Sequence, residues 1–144
     1  GNYAYFDSQL MAYQDIGEDI SGTKYDAATA NWGEGWRMPT MAEIQELVDF
    51  CEWTQARVNR VGGNRITGPN GNSIFIPNAG YWQNSSRYFD DDYPEGSFGL
   101  FWSATIGSGK NEEAYIINCE NGHGVVAYRD WYRHFGLPVR PVKD

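Results

Sequence analysis

At 144 residues and 41% hydrophobic content the chain has apolar material for one core, so a single domain spanning residues 1–144 is expected. The net charge of −8 opposes nucleic-acid phosphates and anionic bilayers, which excludes an electrostatic grip on either. No apolar run is long enough to span a membrane, so direct insertion is not expected, and with no signal peptide at its start the chain reads as an excised mature domain.

In chain order, Tyr3-Ala4-Tyr5-Phe6 predicts a first strand, followed by a polar connection containing Gly17 and Gly22. Asp26 is placed to start a short helix that ends at Gly33. The segment Gly35-Trp36-Arg37-Met38-Pro39-Thr40-Met41-Ala42-Glu43 then predicts an extended entry followed by a capping box. In that box the Thr40 hydroxyl accepts from the Glu43 amide and the Glu43 carboxylate accepts from the Thr40 amide. The helix it opens is expected over residues 41–52, with Met41, Ile44, Leu47, Val48 and Cys51 on one face at three- and four-residue spacing.

Beyond Trp53 the pattern becomes strand-like. Residues 58–61 and 64–67 flank Gly62-Gly63, which reads as a hairpin turn, and Asn70-Gly71 supplies a second turn before Ser73-Ile74-Phe75-Ile76-Pro77. Residues 78–97 lack periodicity and read as a long irregular surface excursion, a feature more often functional than idle. Strands are expected at 98–103, with Phe98, Leu100 and Trp102 on one face, and at 114–120, 124–129 and 137–142. Pro138 and Pro141 remove two donors from the last of these, which points it to a sheet edge or to pairing with the N-terminal strand. Two helices followed by short strands and long loops make an α+β domain without internal repeats.

Cys51 and Cys119 leave two readings open, one long-range disulfide or two buried thiols acting as small hydrophobes. Aromatic residues reach 16%, with six Trp and ten Tyr, so some rings are expected at the surface. The Asn84-Ser85-Ser86 triplet has the glycosylation pattern and is read as incidental.

The run Tyr25-Asp26-Ala27-Ala28-x-x-Asn31-Trp32-Gly33-x-x-Trp36-Arg37-Met38-Pro39-Thr40, with Glu46-Leu47 and Cys51-x-Trp53-Thr54, resembles the Fibrobacter-type major paralogous domain common in gut Bacteroidetes. The resemblance continues through Thr67-Gly68-Pro69-Asn70-Gly71-Asn72-Ser73-Ile74-Phe75-Ile76-Pro77-x-Ala79-Gly80-Tyr81, Phe101-Trp102-Ser103, Ala114-Tyr115 and Arg133-x-x-Gly136-Leu137-x-Val139-Arg140-Pro141-Val142, covering roughly residues 23–142. It implies a C-type-lectin-like fold, in which two helices pack on a twisted antiparallel sheet with long irregular loops and adjacent termini. That fold group includes formylglycine-generating enzymes and the variable proteins of diversity-generating retroelements. Under this resemblance Trp36, Trp102 and Tyr115 are expected in the core, Arg37 and Arg140 in buried or half-buried hydrogen bonds, and the stretch between Trp102 and Arg140 in the ligand-facing surface.

Catalysis fits the residues poorly. A formylglycine-generating site needs reactive cysteines presented together, and the matching region offers Cys119 alone. His123 and His134, with Glu120 and Asp130 near in sequence, are unaccompanied by a nucleophile motif. Calcium-dependent sugar binding in this fold uses Glu-Pro-Asn or Gln-Pro-Asp and Trp-Asn-Asp, none of which occurs; Asp90-Asp91-Asp92 with Glu95 reads as a solvated acidic loop. The expected function is therefore recognition of an extracellular protein or glycan, with no cofactor, no metal and no catalytic residue, by a secreted or surface-displayed domain outside the bacterial outer membrane, monomeric by preference. The predicted ligand surface centres on Tyr128, Asp130, Trp131, Tyr132 and His134, with Glu120, His123 and Arg133 at its margin, because Trp, Tyr and Arg anchor interfaces. The alternative is a structural component of a surface appendage or a multidomain cell-surface protein, in which the same rings pack on a neighbouring domain.

Overall fold

The computed structural model describes residues 6–7, 12–88, 98–107, 112–120, 122–127 and 131–144. It is α+β: among the described residues there are two helices and a set of antiparallel sheets. No described helix is long and apolar enough to cross a membrane.

The chain opens with β1 (Phe6–Asp7) paired to β2 (Ala12–Tyr13); Tyr3, Ala4 and Tyr5 of the expected first strand lie outside the described residues. Helix α1 (Ala27–Trp32) has Asp26 as its N-cap and Gly33, at φ 85°, as its C-cap. Asp26 does more than cap. Its Oδ1 accepts from the amides of Ala28 (2.7 Å) and Thr29 (3.2 Å), while Oδ2 accepts from those of Gly22 (2.9 Å) and Met38 (2.8 Å). One buried carboxylate thus joins the helix to the loop before it and to the chain beyond it.

Strand β3 (Trp36–Arg37) pairs with β12 (Val142–Lys143), which brings the C-terminus against the start of α2 (Met41–Phe50). The Arg37 guanidinium donates through both terminal nitrogens to Glu43 (2.7 and 2.8 Å) and through Nε to Asp144 (2.7 Å). Glu43 also accepts from the Thr40 amide at 2.9 Å, and the Thr40 hydroxyl accepts from the Glu43 amide at 3.2 Å, so the expected capping box forms. Hydrogen bonds from Arg37 hold the Glu43 carboxyl down at about 2. The helix ends at Phe50, before the expected Glu52, because Cys51 is already extended and Glu52 begins a strand.

Strands β4 (Glu52–Val58), β5 (Val61–Thr67) and β6 (Ser73–Pro77) form one sheet. The β4–β5 turn is Asn59-Arg60, both at positive φ, the mirror-image geometry that suits the strand twist. Gly62-Gly63, expected to be that turn, lies inside β5. A Cβ on Gly63 would strike the Ile76 carbonyl oxygen and stand 2.7 Å from the Phe75 ring, so this glycine permits close packing against β6. Asn70-Gly71 does make the expected turn, with the Gly71 amide donating to the Gly68 carbonyl at 2.9 Å.

The central layer is β9 (Phe98–Ile106), β10 (Ala114–Glu120) and β11 (His123–Ala127) in the order β11-β10-β9. One face carries Phe101, Ile117, Cys119 and Val126 into a core shared with Ile44 of α2, Ile66 and Ile76. The other carries Phe98, Leu100, Trp102 and Ile116, as expected of the first three, against Leu137, Tyr81, Trp131 and Phe135. Covering both faces explains why β9 reads as a nearly continuous apolar run.

Several expectations change. Residues 81–88 are not irregular: β7 (Tyr81–Gln83) and β8 (Ser86–Tyr88) form a hairpin, with Asn84 at φ 54° in its turn. Of the expected last strand only Val142 pairs; it lies at the edge of a two-stranded sheet, as one alternative had it, with β3 as partner and not the N-terminal strand, while Pro138 contributes by accepting from the Trp102 amide at 3.1 Å. Trp36, Trp102 and Tyr115 are half-buried instead of enclosed, and Arg140 is exposed where half-burial was expected. Both cysteines are free thiols.

Candidate functional site

The expected ligand residues fall on two separate parts of the structure. After β11 the chain returns past the start of β10, where the Ala114 amide donates to the Trp131 carbonyl (3.1 Å), the Arg133 amide to the Glu112 carbonyl (2.8 Å), and Tyr132 bridges Glu113. The Phe135 amide donates to the Tyr132 carbonyl at 2.9 Å, closing a turn. Gly136 then exchanges two main-chain bonds with Trp82 (2.7 and 2.9 Å), so the segment is sewn to β10 on one side and to β7 on the other. Main-chain bonds of this density fix where its side chains point.

Those side chains form a continuous aromatic block. Trp131 meets Tyr81 edge-on with centroids 5.4 Å apart, and meets Phe135 at 6.1 Å in the same manner. Tyr132 stacks on His134 at 5.7 Å, and His134 abuts Phe135 at 4.7 Å. The His134 Nδ1 and the Tyr13 hydroxyl lie 2.8 Å apart, one of them donating according to the tautomer. Arg133 sits over the Tyr13 ring at 5.2 Å and donates to the Gln14 carbonyl at 3.3 Å. All four residues from Trp131 to His134 are half-buried, so each is partly a packing element.

Glu120 and His123 are elsewhere. They are the closing pair of the β10–β11 turn and are exposed. Ala114, the residue bonded to Trp131, is six residues away along β10, or about 20 Å at the usual rise of a strand. The expected single surface therefore divides into an aromatic block at one end of β10 and a polar turn at the other. Tyr128 and Asp130 lie outside the described residues, as do Asp90, Asp91, Asp92 and Glu95 of the acidic loop.

The hairpin β7–β8 supplies residues that the sequence reading missed. Tyr81 and Tyr88 are directly paired and stack at 4.9 Å with an interplanar angle of 9°, and Tyr81 faces Phe98, Trp131 and Phe135. Burial raises the Tyr81 hydroxyl above its ordinary value, with Tyr88 adding to the effect. The next cross-strand pair, Trp82 and Arg87, points to the opposite face, where both are exposed. Trp82, Arg87, Ala79, Gly80, Gly136, Leu137 and Pro138 line an open groove of about 510 Å³. The two three-residue strands carry no hydrophobic alternation in sequence; the local cue was Asn84-Ser85, a turn-favouring pair with Asn84 at positive φ.

No protein-family model, curated protein or solved structure matches the chain.

The arrangement bears on chemistry through Cys119. Its thiol is fully buried, and burial pushes it up to about 12, so it is a protonated core hydrophobe at neutral pH rather than a nucleophile. Among the described residues no group of three or more His, Cys, Asp and Glu side chains comes together in a way that could hold a metal ion.

Proposed function

We propose that this domain is a non-catalytic, extracellular ligand-recognition module with a C-type-lectin-like fold, related to the Fibrobacter-type major paralogous domains and to the variable proteins of diversity-generating retroelements. The observation that carries the reading is the Trp131–His134 segment: a Trp, a Tyr, an Arg and a His, all half-buried, held by main-chain bonds to Glu112 and Ala114, with Gly136 just beyond it bonded to Trp82. Aromatic and guanidinium side chains already fixed in place lose little conformational freedom when a partner covers them, which is what interface anchors require. Two helices with antiparallel sheets support the fold assignment, and the inert Cys119 thiol supports recognition over thiol chemistry.

The ligand on this reading is a protein or a glycan outside the cell. Arrays of extracellular glycans and proteins, probed with and without a chelator, identify it and test the calcium question together. Tyr132→Ala is the variant of choice, because Trp131 also supports the packed cluster around Leu100, Ile116 and Leu137. Tyr132→Ala is expected to weaken binding about tenfold or more while leaving the fold intact. Unchanged affinity in Tyr132→Ala and in His134→Ala would remove this surface from the assignment.

A further inference from the structure

The outer face of the β7–β8 hairpin is built differently from its inner one. Trp82 is 51% exposed and stands directly across from Arg87, and both line the 510 Å³ groove together with Gly136 and Pro138. That volume is in the range of small-molecule sites, about 300–1,000 Å³, and exceeds what one sugar ring fills. The indole is positioned by the fold itself. Its main chain exchanges both bonds with Gly136, and a Cβ on Gly136 would stand 3.0 Å from the Trp82 Cβ, so the absence of a side chain there lets the two segments approach.

We propose that this groove binds a neutral pyranose oligosaccharide, with the Trp82 indole as stacking platform and the Arg87 guanidinium as donor to ring hydroxyls. The apolar face of a pyranose presents C–H groups that lie flat on an aromatic ring, and an indole offers the largest such surface among side chains. A guanidinium carries several N–H donors in a planar fork and no acceptor, which suits the adjacent hydroxyl oxygens of a sugar. Pro138, half-buried, adds apolar surface to the groove lining beside the indole. Charge selects a neutral chain over a polyanion, because the protein carries −8 overall. A proline-rich peptide fits less well, because its docking grooves use successive aromatic ridges and the described lining holds one ring. The proposal uses none of the residues of the Trp131–His134 surface and rests on the recognition reading only in that the domain binds a ligand.

The test is saturation-transfer NMR on the full chain with maltotetraose, cellotetraose, xylotetraose and mannotetraose, comparing wild type with Trp82→Ala, Arg87→Gln and Tyr132→Ala. The expected result is binding of at least one of these sugars at about millimolar affinity or better, about tenfold weaker in Trp82→Ala and measurably weaker in Arg87→Gln. In the wild type, the indole N–H resonance of Trp82 should shift on titration, a readout that does not depend on how any variant folds. Absence of transfer from all four sugars, a Trp82 resonance that does not move, or undiminished affinity in Trp82→Ala overturns the groove. Loss of sugar binding in Tyr132→Ala with Trp82→Ala unaffected also overturns it while supporting the Trp131–His134 surface, so the two readings fail separately.

Discussion

Replacing Asp26 with alanine tests the junction on which the α1 end of the domain depends. The side chain is 0% exposed and accepts from four main-chain amides, two of which belong to the buried residues Ala28 and Met38. In Asp26→Ala those two amides lose their acceptor where water does not readily replace it, at about 1–3 kcal/mol each. The amides of Gly22 and Thr29 are nearer solvent and rehydrate, leaving the loss of the helix cap at about 1 kcal/mol. The sum is about 3–7 kcal/mol, a large share of the roughly 5–15 kcal/mol that holds a domain of this size. At about 2–4 °C per kcal/mol the melting temperature should fall by about 6–28 °C. Urea unfolding followed by tryptophan fluorescence and thermal melting followed by circular dichroism give the two numbers. Asp26→Asn keeps one acceptor oxygen and should lie between wild type and Asp26→Ala. A loss below about 1 kcal/mol in Asp26→Ala would refute the argument that one carboxylate satisfies these amides.

The Arg37–Glu43 pair gives a pH signature. Because the Glu43 carboxyl is held at about 2, below its ordinary value, its contribution is present above pH 5 and is lost as pH falls toward 2. Side-chain exposures of 23% and 39% let solvent screen the pair, which limits the effect to about 1–2 kcal/mol. Glu43→Gln should therefore cost about that much at neutral pH and little near pH 2, and stability profiles that stay parallel across this range would contradict it. Gly63→Ala should destabilise by about 1–3 kcal/mol in the same urea assay, through the clash with Ile76 and Phe75; wild-type stability would mean that β5 and β6 can separate freely. For the thiols, a disulfide-exchange reagent at about pH 8 should modify half-buried Cys51 first and reach buried Cys119 only on unfolding. Simultaneous modification of both in the native state would show that the core opens around Cys119.

How much of this was legible in the sequence depends on the range of the interaction. Asp26, Thr40 and Glu43 were readable because a cap acts within one helical turn, and the stripe from Met41 to Val48 was readable because helical periodicity reports burial on its own. Phe98, Leu100 and Trp102 share a face for the equally local reason that strand side chains alternate. Gly62-Gly63 was misread as a turn because glycine permits both a turn and a close approach, and only the position of Phe75 and Ile76 distinguishes them. Asn59-Arg60, which does turn, lacks the glycine that usually marks such a site.

The site shows the same division. Composition and the run Trp131-Tyr132-Arg133-His134 pointed to an aromatic, polar patch, and the structure brings those four residues together with Tyr13, Tyr81 and Phe135. What the sequence determined by itself was the local grammar: two capped helices, the alternating strands and an excess of rings beyond the needs of one core. What only tertiary structure decided was that Glu120 and His123 stand at the other end of β10, that Asp26 also serves Met38, and that Trp82 pairs with Gly136 beside a groove. These depend on which segments, dozens of residues apart, are brought into contact, and that is settled by the joint burial of several apolar faces, which no single stretch of sequence encodes.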